Sequence, residues 1–160
     1  MTTNNANESM VLPGRGCAGC TMCCKVLKID AFAKPKGKWC SNCKIGAGCR
    51  IYDERPDECS TFVCGYLAWE PISEAWRPDK CKMVLVAELD GNRIAVVDPN
   101  RMNAWRSEPF YSDLKRLAQL AAEVMNQVVV CIDYRAIVIL PDSDVDLGVV
   151  APDELIVTEE

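Results

Sequence analysis

Nine cysteines within 48 residues, from Cys17 to Cys64, constrain this chain more than any other feature of its 160 residues. They stand as CAGCTMCC (Cys17, Cys20, Cys23, Cys24), WCSNCKIGAGC (Cys40, Cys43, Cys49) and RPDECSTFVC (Cys59, Cys64). Thiols at this density imply disulfides, metal coordination or redox chemistry, and each leaves a different trace in the surrounding residues.

Disulfides fit poorly. The cysteine total of 11 is odd, so a fully paired framework needs a partner chain. The opening MTTNNANESMVLPGRG has neither an apolar run nor a basic leader, which predicts a cytoplasmic, reducing environment. No stretch approaches the ~20 consecutive apolar residues of a membrane helix, so no membrane association is expected. Residues 1–80 carry 11 Lys/Arg against 9 Asp/Glu, a net of +2, and residues 81–160 carry 7 against 14, a net of −7. Neither half has the broadly basic character of a nucleic-acid partner.

Metal ligation fits better. A Cys-x2-Cys turn brings two thiolates within about 2.3 Å of one ion without strain. Two such pairs, Cys17/Cys20 and Cys40/Cys43, are separated by 19 residues, the spacing of a four-cysteine zinc site. Cys23 adds a third ligand in register with Cys20. Adjacent Cys23 and Cys24 point in different directions along most backbones, which suits two different ions, or one ligand beside one packing residue. A vicinal disulfide there would be strained. With no histidine in the chain, a thiolate-rich site suits Zn²⁺, Cu(I) or iron–sulfur and excludes the usual His-based catalytic zinc. The ferredoxin motif opens as Cys-x2-Cys-x2-Cys too, but its next cysteine is replaced here by Leu27. A [4Fe–4S] cluster gathered from Cys17–Cys24 and Cys49–Cys64 stays geometrically open. The five lysines of KVLKIDAFAKPKGK (residues 25–38) read as a solvated loop around a strand-like run (Val26, Leu27, Ile29). The alternatives are a binding patch, or that they, with Arg15, Arg50 and Arg55, offset thiolate charge. Cys131, in VVVCID, reads as a small core residue, and Cys81 is left unassigned.

The rest of the chain reads as follows. Pro56 with Asp57 and Glu58 opens a helix that carries Cys59 and ends near Cys64; the two thiols reach one ion only if it stops between them. Trp69, Pro71, Trp76 and Pro78 make a packed crossing segment, and Trp39, Tyr52, Phe62 and Trp69 wall the site from water. Lys82 to Asp98 reads as a β-hairpin turning at Asp90-Gly91-Asn92. A helix capped by Ser107, with Pro109 in its first turn, presents Phe110, Leu114, Leu117, Ala121 and Val124 as one stripe. Residues 128–140 form two short strands about Asp133 to Arg135. Asp142, Asp144 and Asp146 read as a solvated acidic strand rather than a calcium loop. No internal repeat is evident.

CAGCTMCC, then Cys40, then GAGCRIYDERPDECSTFVC resembles the CxxCxxCC family of zinc- or iron-chelating domains, over about residues 15–70. The shared pattern is Cys17-x2-Cys20-x2-Cys23-Cys24, Cys40, Cys49-x-Ile51-Tyr52-x2-Arg55-Pro56-x2-Cys59 and Phe62-x-Cys64. This chain adds Cys43, so either Cys40 or Cys43 is the ligand in that stretch, and Tyr66 stands where the family has Trp. A related cluster occurs in the much longer flagellin lysine methylases, so the resemblance brings in a protein-modifying enzyme as an alternative.

The expected fold is α+β: a disordered start (1–12), a cysteine-rich, metal-organised module (13–80), and a small antiparallel sheet plus one helix (81–160) packed on it as one domain. The expected function is chelation of zinc, as two ions, or of iron by Cys17, Cys20, Cys23, Cys24, Cys40, Cys43, Cys49, Cys59 and Cys64. The alternatives are an iron–sulfur redox or protein-modification enzyme, or a metal storage or delivery protein. Any protein partner would meet residues 81–160. Neither a nucleophile–base pair nor a cofactor fingerprint is present, so no catalytic residue is named.

Overall fold

Glycine, proline and cysteine punctuate the first eighty residues so often that, among the described residues there, no helix exceeds one turn. The computed structural model describes residues 11–17, 19–88 and 90–150. In its first half, α1 (Cys23–Val26) precedes a two-stranded ribbon of β1 (Cys43–Lys44) and β2 (Gly48–Cys49). The one-turn helices α2 (Asp57–Ser60), α3 (Gly65–Ala68) and α4 (Pro78–Cys81) follow. The single helix expected from Pro56 to Cys64 is therefore split. Thr61 ends α2 by turning both its amide (2.9 Å) and its hydroxyl (2.6 Å) onto the Asp57 carbonyl. Val26 belongs to α1 rather than to a strand, and Ile29 pairs only with Lys34 across a tight loop.

The second half is a five-stranded sheet, ordered β3 (Met83–Ala87), β4 (Arg93–Val97), β5 (Val128–Ile132), β6 (Arg135–Ile139) and β7 (Asp144–Val149). The β3–β4 hairpin pairs Met83 with Val97 through to Ala87 with Arg93. Gly91 takes the φ of +99° that its turn requires. The sheet is mostly antiparallel, as expected, with one parallel pair, β4 and β5. The cause is α5 (Phe110–Glu123), which returns the chain to the end of the sheet where β4 began. Outer strand β7 is largely exposed, as its alternating aspartates imply.

Helix α5 starts later than expected. Pro109 occupies the position before Phe110 without a side-chain cap, and Ser107 contributes its carbonyl, not its hydroxyl, to the Tyr111 amide (3.0 Å). The buried face centres on Leu114, Ala118 and Ala121, while Val124 lies past the helix end in solvent. Asp113 is also buried, and it accepts the indole N–H of the fully buried Trp76 at 2.8 Å. An indole donor in a core needs such an acceptor, which accounts for a carboxylate on the inner face.

One hydrophobic core runs from Met22 and Val26 of the cysteine-rich half through Leu67, Ile72 and Trp76 to strands β3–β6. Val11 packs against it, and the Leu12 amide donates to the Leu67 carbonyl (2.7 Å), so order begins before Pro13. The rest of the expected disordered start, residues 1–10, and the apolar run Leu155–Val157 lie outside the described residues. Among the described residues no helix is long and apolar enough to cross a membrane.

Gly65 sets the closeness of α3 to the sheet. A methyl group there would lie 2.6 Å from Leu85 Cβ and 2.6 Å from the Trp69 ring. Gly65→Ala is expected to cost about 1–3 kcal/mol by overpacking, read as a lower urea midpoint at unchanged slope. An unchanged midpoint would mean that α3 and β3 separate freely.

Candidate metal centre

The two Cys-x2-Cys segments fold alike. In each, the second cysteine's amide donates to the first one's carbonyl, Cys20 to Cys17 at 2.7 Å and Cys43 to Cys40 at 3.0 Å. Cys23 and Cys24 open α1, and the Cys40 amide donates to the Cys24 carbonyl (3.0 Å), which ties the second turn to that helix. Cys49 on β2 stands opposite Cys43 on β1. Cys59 lies on α2, fixed by its neighbour Glu58, whose carboxylate accepts the amides of Asp30 (2.8 Å) and Ala31 (3.1 Å). Cys64 precedes the first residue of α3. All nine cysteines line one cavity of about 570 Å³.

Within that cavity the thiols fall into two sets. Cys17, Cys20 and Cys64 act on one another electrostatically, with Cys64 and Cys20 against the main core. Cys24 and Cys59 pack instead against a separate small cluster containing Cys40, Cys43 and Ile29, and Cys49 interacts with Cys59. Cys23 joins them: it packs against the main core while its thiol hydrogen-bonds Cys24. Cys59 and Cys64 thus belong to different sets, although the helix does end between them.

Burial makes these thiols reluctant acids. It pushes Cys43 up to about 11, with Cys24 adding to the effect. Cys17, though exposed as a residue, also reaches about 11, through desolvation by the surrounding protein first and then Cys64 and Cys20. Cys24 is raised chiefly by its hydrogen bond with Cys23, then by burial, and Cys20, Cys59 and Cys64 are raised by burial. Among the described residues, no three Cys, Asp or Glu side chains stand close enough, as placed, to share one ion. Zinc would require the thiols of a set to turn inward to about 2.3 Å from the ion. The donor type suits a thiophilic metal, and the cavity leaves room for that movement.

The chain matches no family model, no curated protein and no solved structure. The likeness to the CxxCxxCC family accordingly rests on the sequence pattern alone, the cysteine spacing together with Ile51, Tyr52, Arg55, Pro56 and Phe62.

Several residues around the thiols differ from expectation. Arg15 does not face them; its guanidinium donates to the carbonyls of Tyr66 (2.6 Å), Trp69 (3.3 Å) and Ile72. Arg50 is exposed, whereas Arg55 lines the cavity and stacks on Tyr52, 3.8 Å from its ring centre. Tyr52 and Phe62 line the cavity as expected, but Trp69 lies under Arg93, away from it, and Trp39 packs behind Cys40. The lysine loop is not wholly solvated. Lys25 and Lys34 are buried, and Lys34 Nζ donates to the carbonyls of Lys25 (3.0 Å) and Pro35 (2.8 Å) while its charge faces Cys40, Cys24 and Cys23. Burial draws its pKa down, and ionised thiolates nearby would favour its charged form.

Three features were missed. The buried Thr21 hydroxyl accepts the Gly46 amide (3.0 Å) and hydrogen-bonds the Cys43 sulfur. Arg77, paired with Asp79 at 2.8 Å, lends its charge to Cys17 and Cys20. A short internal echo, Arg55-Pro56-Asp57-Glu58-Cys59 and Arg77-Pro78-Asp79-Lys80-Cys81, builds α2 and α4, and both of its arginines act on Cys17. A search for five-residue repeats would have found it. Cys81 is buried behind Cys20 and Cys64, with its thiol against the Trp76 and Met83 carbonyls at 3.4 Å; burial pushes it up to about 12. Cys131 is buried within β5, packed with Val129, Ala136 and Val138.

Proposed function

We propose that this chain is a metal-binding protein that chelates zinc or iron through cysteine thiolates gathered from three separated stretches. The observation that carries the reading is the single cavity lined by all nine clustered cysteines. The division of the thiols favours two zinc ions, one on Cys17, Cys20 and Cys64 with Cys23, the other on Cys24, Cys40, Cys43 and Cys59, with Cys49 beside it. Arg77 and Lys34 supply positive charge to the two sets respectively. The size of the cavity favours a second reading, an iron–sulfur cluster held by thiols drawn from both sets.

Elemental analysis and a visible spectrum of the full chain, purified anaerobically, test both. A colourless protein with two zinc ions per chain supports the first; Cys17→Ser/Cys64→Ser and Cys40→Ser/Cys43→Ser should then each retain one ion. A brown protein bleached by dithionite supports the second, and either double substitution should then abolish the colour. Absence of stoichiometric metal in a folded, reduced sample would overturn the proposal.

A further inference from the structure

A second cleft, of about 470 Å³, lies at the other side of α4, and its chemistry is opposite to that of the thiol cavity. Lys80 and Lys82 border it from the α4–β3 junction, and Arg101 borders it from the connection between β4 and α5. Asn100 and Ser107 line it as well. Among the described residues no Asp or Glu lines the cleft, and none of these five side chains has a hydrogen-bond or ion-pair partner. The chain carries 23 acidic residues against 18 basic ones, and elsewhere Lys25, Arg77, Lys115, Arg116 and Arg135 are each paired with a carboxylate.

The frame beneath these cations is fixed. Lys82 is held at a φ of +64°, a left-handed conformation that a lysine rarely adopts. Its carbonyl accepts the Asp98 amide (2.9 Å), which clamps one wall to the other. Asp98 in turn receives the Asn100 amide on its carboxylate (3.0 Å) and the Arg101 amide on its carbonyl (2.8 Å), so the turn bearing Arg101 is anchored. Asp98 does not offset the charge of the cleft, because its carboxylate is paired with Lys25. The cleft also lies beyond the carboxyl end of β4, where the chain leaves the parallel β4–β5 pair for α5. Ligands of parallel sheets are bound at that end, outside the strands.

We propose that this cleft binds a phosphate group, with Lys82 and Arg101 as its principal donors and Lys80, Asn100 and Ser107 completing the set. Arg supplies a planar pair of donors suited to phosphate oxygens, and Lys supplies a compact charge. Free phosphate and the phosphate of a small ester share this chemistry. Met102 and Phe110 at the rim offer apolar surface that only the ester would use.

Calorimetric titration of the full chain with orthophosphate, AMP and adenosine tests the assignment. Orthophosphate and AMP should bind, adenosine should not, and added salt should weaken both anions. In Lys82→Gln/Arg101→Gln, binding is expected to fall by about tenfold or more, with thermal stability and metal content unchanged because Arg101 is exposed, Lys82 is only half-buried and neither side chain has a partner to lose. AMP binding tighter than orthophosphate assigns the site to an ester, and equal affinities assign it to free phosphate. Equal binding of adenosine and AMP, unchanged affinity in the double variant, or no heat with either anion would each overturn the proposal.

Discussion

Zinc loading is expected to reverse the response of this protein's stability to alkaline pH. Without metal, burial holds the thiols of Cys17, Cys20, Cys43, Cys59 and Cys64 in the protonated form beyond the usual thiol range. An unfolded chain ionises these groups at about pH 8.5, so as pH rises the unfolded state loses protons first. The stability they contribute is full below about pH 8.5 and drains away towards the folded values, about 11 for Cys17 and Cys43. In the loaded protein the thiols have already given up their protons to the ion, so that loss disappears and proton competition for the metal weakens as pH rises. Thiolate zinc contributes on the order of 10 kcal/mol in small domains, comparable to the whole net stability of a typical one. Thermal unfolding at about pH 7 and about pH 9.5, with zinc or with a chelator, should give a midpoint that falls with pH only in the chelated sample. The gap between the two samples should widen at the higher pH. Parallel shifts in both samples would sink the thiolate assignment.

Legibility in the sequence followed the range of the interactions. The Cys-x2-Cys turns and the β3–β4 hairpin were readable because spacing and alternation are local properties. The parallel β4–β5 pair was not, since it depends on where α5 delivers the chain. The spacing pointed to Cys17, Cys20, Cys40 and Cys43 as a single four-thiol unit, yet the fold separates these two pairs. The separation arises because α1 sends Cys23 towards the main core and Cys24 towards Cys40 and Cys43. Polar burial was the least visible feature. Lysines at 25 and 34 look solvated in a run of five, and nothing in the sequence marks Asp113 as the buried acceptor that Trp76 needs.

Breaking the Lys25–Asp98 ion pair is expected to be costly, and its loss should be felt by both halves of the molecule. Lys25 follows Cys24 on α1, and Asp98 follows β4; Nζ and Oδ1 are 2.8 Å apart, with side chains 9% and 6% exposed. Lys25 also lies over the Trp39 ring, 5.7 Å from its centre, so the pair joins the helix that orients Cys23 and Cys24 to the end of the sheet. Two charges this enclosed gain little over a well-packed neutral pair, but removing one strands the other, at a cost of about 3–5 kcal/mol. Lys25→Met keeps the aliphatic stem and leaves the Asp98 carboxylate with only the Asn100 amide. Asp98→Asn retains an acceptor for that amide and strands the ammonium instead. Each single variant should therefore lose several kcal/mol in urea unfolding, and Lys25→Met/Asp98→Asn should lose less than either. Single variants within about 0.5 kcal/mol of the parent would mean that water reaches the pair and that α1 is anchored by its apolar contacts alone.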